Sequence, residues 1–415
     1  GREGEPLSLL YRVVYAAHAN GSHHKLALDA LQHLSGSEAE RWQRLFLSHA
    51  GGYLEGSKAP DNTFKDFKNH VLHVGDGYWG GAIGKVEEWY ATLVEHLASA
   101  RWAEAVHAAG VLSHYYVDPI HPFHTAQSDA ENAIHRAAEW SINRSYDALL
   151  KLARAGRTPL SLTIEDGDGW LRALVCAGAE TSNSQYERLI AHYDIHKGVV
   201  DPPLGLDQIA QGLVADLIDY AGRGYALILD RAFTQSGATP PDVSLTLATV
   251  MAGLKVPKKW LMKRIADAED RRVVEAMYDE LKTTGRVEAA LPEDDRAVRD
   301  LYAEEVLKPR LAARDKQRAA VVAAAARPSV AKPSPKAAEP VPVQNSPVQP
   351  QAKVRPEPPA IVVPELPRPA AADAAPLPEL SAGLQHRAAA LSARLAATTP
   401  TSVPAVERPV TAPPA

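Results

Sequence analysis

The chain has 415 residues, a formal net charge of −5 and one cysteine, Cys176. A balance so close to neutral gives no sign of a general affinity for polyanions, and a single thiol excludes both an internal disulfide and a cysteine-based zinc site, so any metal must be held by His, Asp and Glu. No apolar run reaches the ~18–20 residues that span a bilayer, so no transmembrane segment is expected; no secretory leader is visible either, which favours a cytoplasmic protein unless a leader was removed ahead of Gly1.

In chain order, Leu7 to Ala17 is apolar and helix-compatible, and Asn20-Gly21-Ser22 breaks it before a second helix that starts near Ser22. Ser37-Glu38-Ala39-Glu40 has the form of a capping box and opens a third helix running toward His49. Gly51 to Asn62, punctuated by Gly, Ser and Pro, reads as loop. Helices are expected next over Lys85–Ser99, Trp102–Val117 and Ser128–Ala155, the last opened by the capping box Ser128-Asp129-Ala130-Glu131, and then over Gly169–Arg188 and Leu206–Phe233. Little of the chain alternates with period two, so the fold class is all-α.

A boundary is expected at Ser236-Gly237-Ala238-Thr239-Pro240-Pro241, where turn residues cluster. Three regions follow from it: a multi-helix domain over 1–235, a charged helical segment over 242–325, and a Pro/Ala-rich tail over 326–415. The charged segment carries KVPKKWLMKR, Lys255 to Arg264, a basic stretch around Trp260 that reads as a solvated helix face or a contact for phosphate. Aromatic residues stop at Tyr302, so the tail cannot build a core and is expected to be disordered. Its one helical face, Leu380, Leu384, Leu391 and Leu395, would suit docking onto a protein partner.

Thirteen of the sixteen histidines lie at or before His135, which places the chemistry in the first third of the chain. His114 and Asp118 are four apart at the end of one expected helix, and His135 and Glu139 are four apart on the next. Each pair shares a helix face. With His124 between them, these five residues form a ladder of donors in an apolar, aromatic stretch (Val111, Leu112, Tyr115, Tyr116, Val117, Phe123), where a charge needs a partner or an ion. Imidazole with carboxylate is a zinc ligand set, and two such faces can grip more than one ion.

The pattern His-x3-Asp-x5-His followed by His-x3-Glu, as His114, Asp118, His124, His135 and Glu139, resembles the zinc-dependent phospholipase C superfamily, which includes the fungal single-strand nucleases. The likeness covers roughly residues 18–235. It implies an all-helical phospholipase C/nuclease-like domain, a cluster of two to three Zn2+ ions and hydrolysis of phosphodiesters by attack of zinc-bound hydroxide on phosphorus. It also implies three upstream ligands. Asp61 lies twelve residues before His73, and His73-Val74-Gly75-Asp76 has the expected form, with His70 as the rival. His23 opens an early helix with the expected apolar offsets, with His24 as the rival. Asp61 would also position or deprotonate the attacking water.

The family's N-terminal tryptophan ligand has no counterpart ahead of His23, and His18 is the candidate replacement. The membrane-docking β-sandwich of some toxins in the family is missing as well. The substrate implied is a phosphodiester, phospholipid or nucleic acid. Against the phospholipase C reading stand a nuclease, which would stack bases on aromatic side chains such as Tyr78, Trp79 and Phe123, and a non-catalytic, metal-stabilised module that tethers partners through the tail.

Overall fold

Glycines that read as loop punctuation turn out to be points where helices touch. In the computed structural model of the chain, residues 50–56 are helical rather than loop, and the helix they form presses against a later one. The added Cβ of an alanine at Gly56 would lie 2.3 Å from the His107 carbonyl oxygen, and one at Gly110 would lie 2.2 Å from the Tyr53 carbonyl oxygen. Neither backbone oxygen can move aside cheaply, so glycine on both helices permits the crossing. The structure describes residues 7–164, 166–246 and 256–325, without the side chains of 256–264 and 324–325. The basic side chains around Trp260, the tail from 326 on and its leucine face lie outside the described residues.

The helices of the first part are α1 (Leu7–His18), α2 (Ser22–Leu31), α3 (Ala39–Ser48), α4 (Ala50–Gly56), α5 (Ala82–Ala98), α6 (Trp102–Val117), α7 (Asp129–Asn132), α8 (His135–Ala153), α9 (Trp170–Asn183), α10 (Tyr186–His192), α11 (Ile195–Gly198) and α12 (Gln208–Ser236). Then come α13 (Val256–Thr284), α14 (Glu293–Tyr302) and α15 (Lys308–Ala325). Among the described residues the only strands are the two-residue pair β1 (Leu72–His73) and β2 (Trp79–Gly80), antiparallel with His73 opposite Trp79. The fold is all-α. No described helix is long and apolar enough to cross a membrane.

Local signals set several boundaries. The Ser128 hydroxyl accepts from the Glu131 N–H at 3.1 Å, the expected cap, but the helix it opens is short. Ala133 and Ile134 interrupt it, and α8 begins afresh at His135. Ser37 makes no cap: α3 starts after Glu38 without a side-chain bond. Asp207 caps α12 by accepting from Ile209 and Ala210 N–H, both at 2.9 Å, and Gly237 ends it in the left-handed conformation at φ 63°.

Helix α6 is the axis of the core. Its residues from Ala108 to Tyr116 are all buried, and it packs on α4, α5 and α12. A run apolar on every face can only be a central helix. Asp118-Pro119 stops it, because proline offers no N–H to continue the ladder, and two short 3-10 turns, Asp118–Ile120 and Pro122–His124, carry the chain on; a third, Phe67–His70, lies upstream of it.

The described residues up to 325 belong to one compact unit, so the described part of the charged segment packs with the helical domain. Helix α13 packs on α8 and α1, and α14 packs on the Phe67–His70 turn.

Candidate metal centre

Asp118 is the hub of the site. It is 3% exposed, and its two oxygens face different histidines: Oδ1 lies 3.4 Å from His23 Nε2, while Oδ2 lies 2.8 Å from His70 Nδ1 and 3.1 Å from His114 Nε2. The donors come from four segments: the first turn of α2, the irregular stretch after α4, the Phe67–His70 turn and the end of α6. His23 stacks on His114 with ring centroids 4.1 Å apart. Asp61 opens the π-helical turn Pro60–Phe64, and its Oδ1 lies 3.4 Å from His114 Nε2. Ligand atoms of His23, Asp61 and His114 approach one another within 4.8 Å, as do those of His70, His114 and Asp118.

A second group sits on the same cavity wall. His124 Nε2 and His135 Nε2 each lie 3.3 Å from Glu139 Oε1, and ring nitrogens of His121, His124 and His135 fall within 4.8 Å of one another. The cavity, of about 720 Å³, is lined by His23, Asp61, His70, Asp118, His121, His124, His135 and Glu139 among others.

The structure therefore brings together His23, Asp61, His114 and Asp118 in one group, and His124, His135 and Glu139 in the other. It does not bring in His73. After the 3-10 turn the chain extends into β1, which carries His73 past the group to a fully buried slot between the rings of Trp79 and Tyr302, each 4.9 Å away. Its ring nitrogens find no hydrogen-bond partner there, and the nearest carboxylate oxygen, of Asp76, is 3.7 Å off. His70 takes the place expected of His73. Between the other rivals, His23 faces Asp118 whereas His24 turns back, its Nδ1 accepting from the Asn20 N–H at 3.2 Å. His18 is buried at the end of α1 and does not line the cavity.

Four further residues escaped the sequence reading. His121 is in the second group; it lies three residues after Asp118 and three before His124, a spacing that a 3-10 turn brings to one side. Glu131, one turn before His135, is 1% exposed with its Oε1 2.6 Å from His135 Nδ1. Lys58 pairs with Asp61 at 2.8 Å. Arg136 reaches Glu139 Oε2 at 3.4 Å with one amino group and Asp294 Oδ2 at 2.5 Å with the other. The i, i+3 and i, i+4 spacings of Lys58 to Asp61 and of Glu131 to His135 were visible signals. The partnership of Arg136 with a residue 158 positions away was not.

Donor chemistry supplies the test of whether these residues fit a metal. His114 Nδ1 is held by the Ser57 carbonyl at 2.9 Å, and His124 Nδ1 by the His70 carbonyl at 3.0 Å. A carbonyl only accepts, so each Nδ1 carries its proton and the neutral ring presents a bare Nε2. That Nε2 then faces a carboxylate oxygen, lone pair to lone pair. Either a second proton or a metal ion must lie between them.

Without a metal the histidines respond as expected for the proton. Burial works to lower His114, yet Asp118 and Asp61 beside it push it up to about 10. Burial is likewise outweighed at His70, where hydrogen bonds to Asp118 and Asp66 push the ring up to about 9. Burial opposes ionisation of Asp118 as well, but His114, His124 and His23 hold its carboxyl well below the ordinary range. His23 and His121 go the other way. Burial, with His114 adding to it, drives His23 well below its ordinary value; burial, with His124 adding to it, drives His121 down to about 3, and the Nε2 of His121 is buried without a hydrogen-bond partner. Orienting partners on Nδ1 and oxygen donors opposite Nε2 are what a zinc site of imidazole and carboxylate requires.

No known protein family matches the chain, and no curated protein does. Among solved structures it is similar to the alpha-toxin of Clostridium absonum and to the alpha-toxin of an avian strain of Clostridium perfringens. Each is 15% identical with a TM-score of 0.37, over 54% and 55% of this chain respectively and 66% of the toxin. The match thus spans just under two thirds of the toxins' length. The fold class rests on the helices described above, and the site on its own geometry.

Proposed function

We propose that the chain is a metal-dependent hydrolase of phosphodiester bonds, of the phospholipase C type. The observation that carries this reading is the placement of Asp118, whose two oxygens face separate sets of imidazoles while a third set, around Glu139, opens on the same cavity. Two to three zinc ions would be held there: one by Asp61, His70, His114 and Asp118, one by His124, His135 and Glu139, and a third by His23 together with Asp118. His121 stands ready as a further nitrogen donor to the second.

Divalent ions so placed supply Lewis acidity toward phosphate oxygens and lower the pKa of a bound water. The protein's own groups then set the geometry. Burial would raise the carboxyl of Asp61, but Lys58 and His114 hold it well below the usual range. It therefore stays a carboxylate that accepts a hydrogen bond and orients the attacking water, and it is a weak proton acceptor while Lys58 is paired. Glu131 fixes the ring of His135, and Arg136 supplies positive charge at the cavity wall beside Glu139. The helical domain of residues 1–235 is the catalytic body, and the charged segment over 242–325 is its cap.

The test is a panel of phosphatidylcholine micelles, single-stranded DNA and a chromogenic phosphodiester, each with and without prior chelation. Chelator-sensitive turnover of the micelles is expected; turnover of DNA alone would assign the scaffold to a nuclease. Bound metal without turnover of any of the three would contradict the hydrolase reading.

A further inference from the structure

Three carboxylates in the cavity come from the charged segment. Asp270 of α13 and Asp294 and Asp295 of α14 line the same space as the histidines. A phosphodiester is an anion, and acidic side chains at the mouth of its site oppose its entry. Among the described residues, the one guanidinium that lines the cavity is already taken. Arg136 donates to Asp294 Oδ2 at 2.5 Å, a charge-assisted bond, and Asp295 Oδ2 stands 3.8 Å from the same nitrogen. The far amino group of Arg136 meets Glu139 Oε2, so the guanidinium is anchored beside the second histidine group with its outer edge turned to α14. Asp294 Oδ2 stands on that edge where a phosphate oxygen would, while its Oδ1 accepts from the Asp295 N–H at 3.0 Å.

The segment is strapped down on both sides of this contact. Asp267 accepts from Trp140 Nε1 at 3.0 Å; Glu305 accepts from Lys68 and from Trp79 Nε1. These polar contacts are of small individual worth, but the segment also buries Val274, Met277 and Leu291 in the core, so a competing anion would displace the Asp294 side chain and leave the segment in place.

We propose that Arg136 is the oxyanion-binding group of this cavity and that Asp294, with Asp295 behind it, occupies it in place of a phosphate. The ligand class is a phosphate monoester or diester. The inference rests on the hydrolase reading for its biological sense, but its test does not depend on turnover.

Inorganic phosphate is titrated calorimetrically into the full chain, desalted to remove free ions, as wild type, Asp294→Asn, Asp294→Asn/Asp295→Asn and Asp294→Asn/Arg136→Gln, with zinc content measured on the same samples. Asp294 is partly exposed, so its amide variant is expected to fold. Removing the competing charge should tighten phosphate binding on the order of tenfold, and adding Arg136→Gln should abolish the gain. No tightening in either aspartate variant, or a gain that survives Arg136→Gln, overturns the proposal. Zinc-free samples with an Arg136-dependent gain would keep it while removing the hydrolase reading, and zinc-loaded samples with no gain would do the reverse. Titrations with glycerophosphocholine and with short-chain phosphatidylcholine micelles distinguish a free anion from a lipid headgroup. An Arg136-dependent gain with either supports the proposal and assigns the site to an esterified phosphate headgroup, and a gain with inorganic phosphate alone supports it as a free-anion site.

Discussion

The two histidine groups are built in opposite ways. The group around Asp118 has a buried centre, His70, His114 and Asp118, with Asp61 at its partly exposed edge, and gathers donors from four segments spread over residues 23 to 118, whereas the group around Glu139 is drawn from the nineteen residues 121–139 and has its central carboxylate, Glu139, 32% exposed at its side chain. A buried site assembled by the tertiary fold holds its ion as part of folding, while a local, open one leaves room for water and exchange. The Asp118 group is thus expected to bind more tightly and the Glu139 group to respond more to its orienting partners.

Asp118→Asn is the most damaging way to break this contrast. It replaces one of the two carboxylate oxygens that face the imidazole sets, and we expect loss of the metal held around Asp118 with the Glu139 group still loaded, and a fall in phosphodiester hydrolysis of about 10³-fold or more, since nucleophile and charge stabilisation depend on the ions. Metal analysis with kinetics on the folded variant checks it; a variant that keeps all its ions would show that the hub lies elsewhere.

Next comes the pair His70→Ala and His73→Ala. The first should lower metal content and activity together. The second should leave both in place and cost about 2 kcal/mol of stability, as for other buried truncations. Thermal melts with metal analysis separate the two, and the reverse pattern would return His73 to the ligand set.

Glu131→Gln sharpens the comparison from the other side. It should weaken one ion by roughly 10–100-fold and leave the Asp118 group loaded, as read by competition with a chelator. Equal weakening of every ion would mean that the groups do not act separately. Cys176→Ser should change nothing: the thiol is half-buried in α9 and outside the cavity, and a loss of activity would point to a thiol-dependent step.

The same contrast explains what was legible in the sequence. His114 with Asp118 and His135 with Glu139 could be read because a helix repeats every 3.6 residues and sets such pairs on one face. His124 came with them. His121 did not, since its position depends on consecutive 3-10 turns whose threefold repeat a helical reading ignores. His70 and His73 lie three apart across a change from turn to strand, and no local rule says which will face the site. The glycines at 56 and 110 were ambiguous for a related reason: a missing Cβ permits a loop or a helix contact, and only the partner helix decides. The helices themselves were largely visible from apolar periodicity and proline stops, apart from the break at Ala133 and Ile134, a second break at Ser184 and Gln185 inside the helix expected over Gly169–Arg188, and the helix Ala50–Gly56 that had read as loop. The approach of Asp294 to Arg136 left no trace in spacing, because it joins residues that meet only when α14 lies against the Phe67–His70 turn.

Metal stoichiometry tests the central claim most directly. The full chain, incubated with zinc, desalted and measured by inductively coupled plasma mass spectrometry, should carry about two to three ions per molecule, with His124→Ala and Glu139→Ala each lacking one. A chain that retains no zinc after the same treatment would contradict the account, leaving the histidines and carboxylates held together by protons alone.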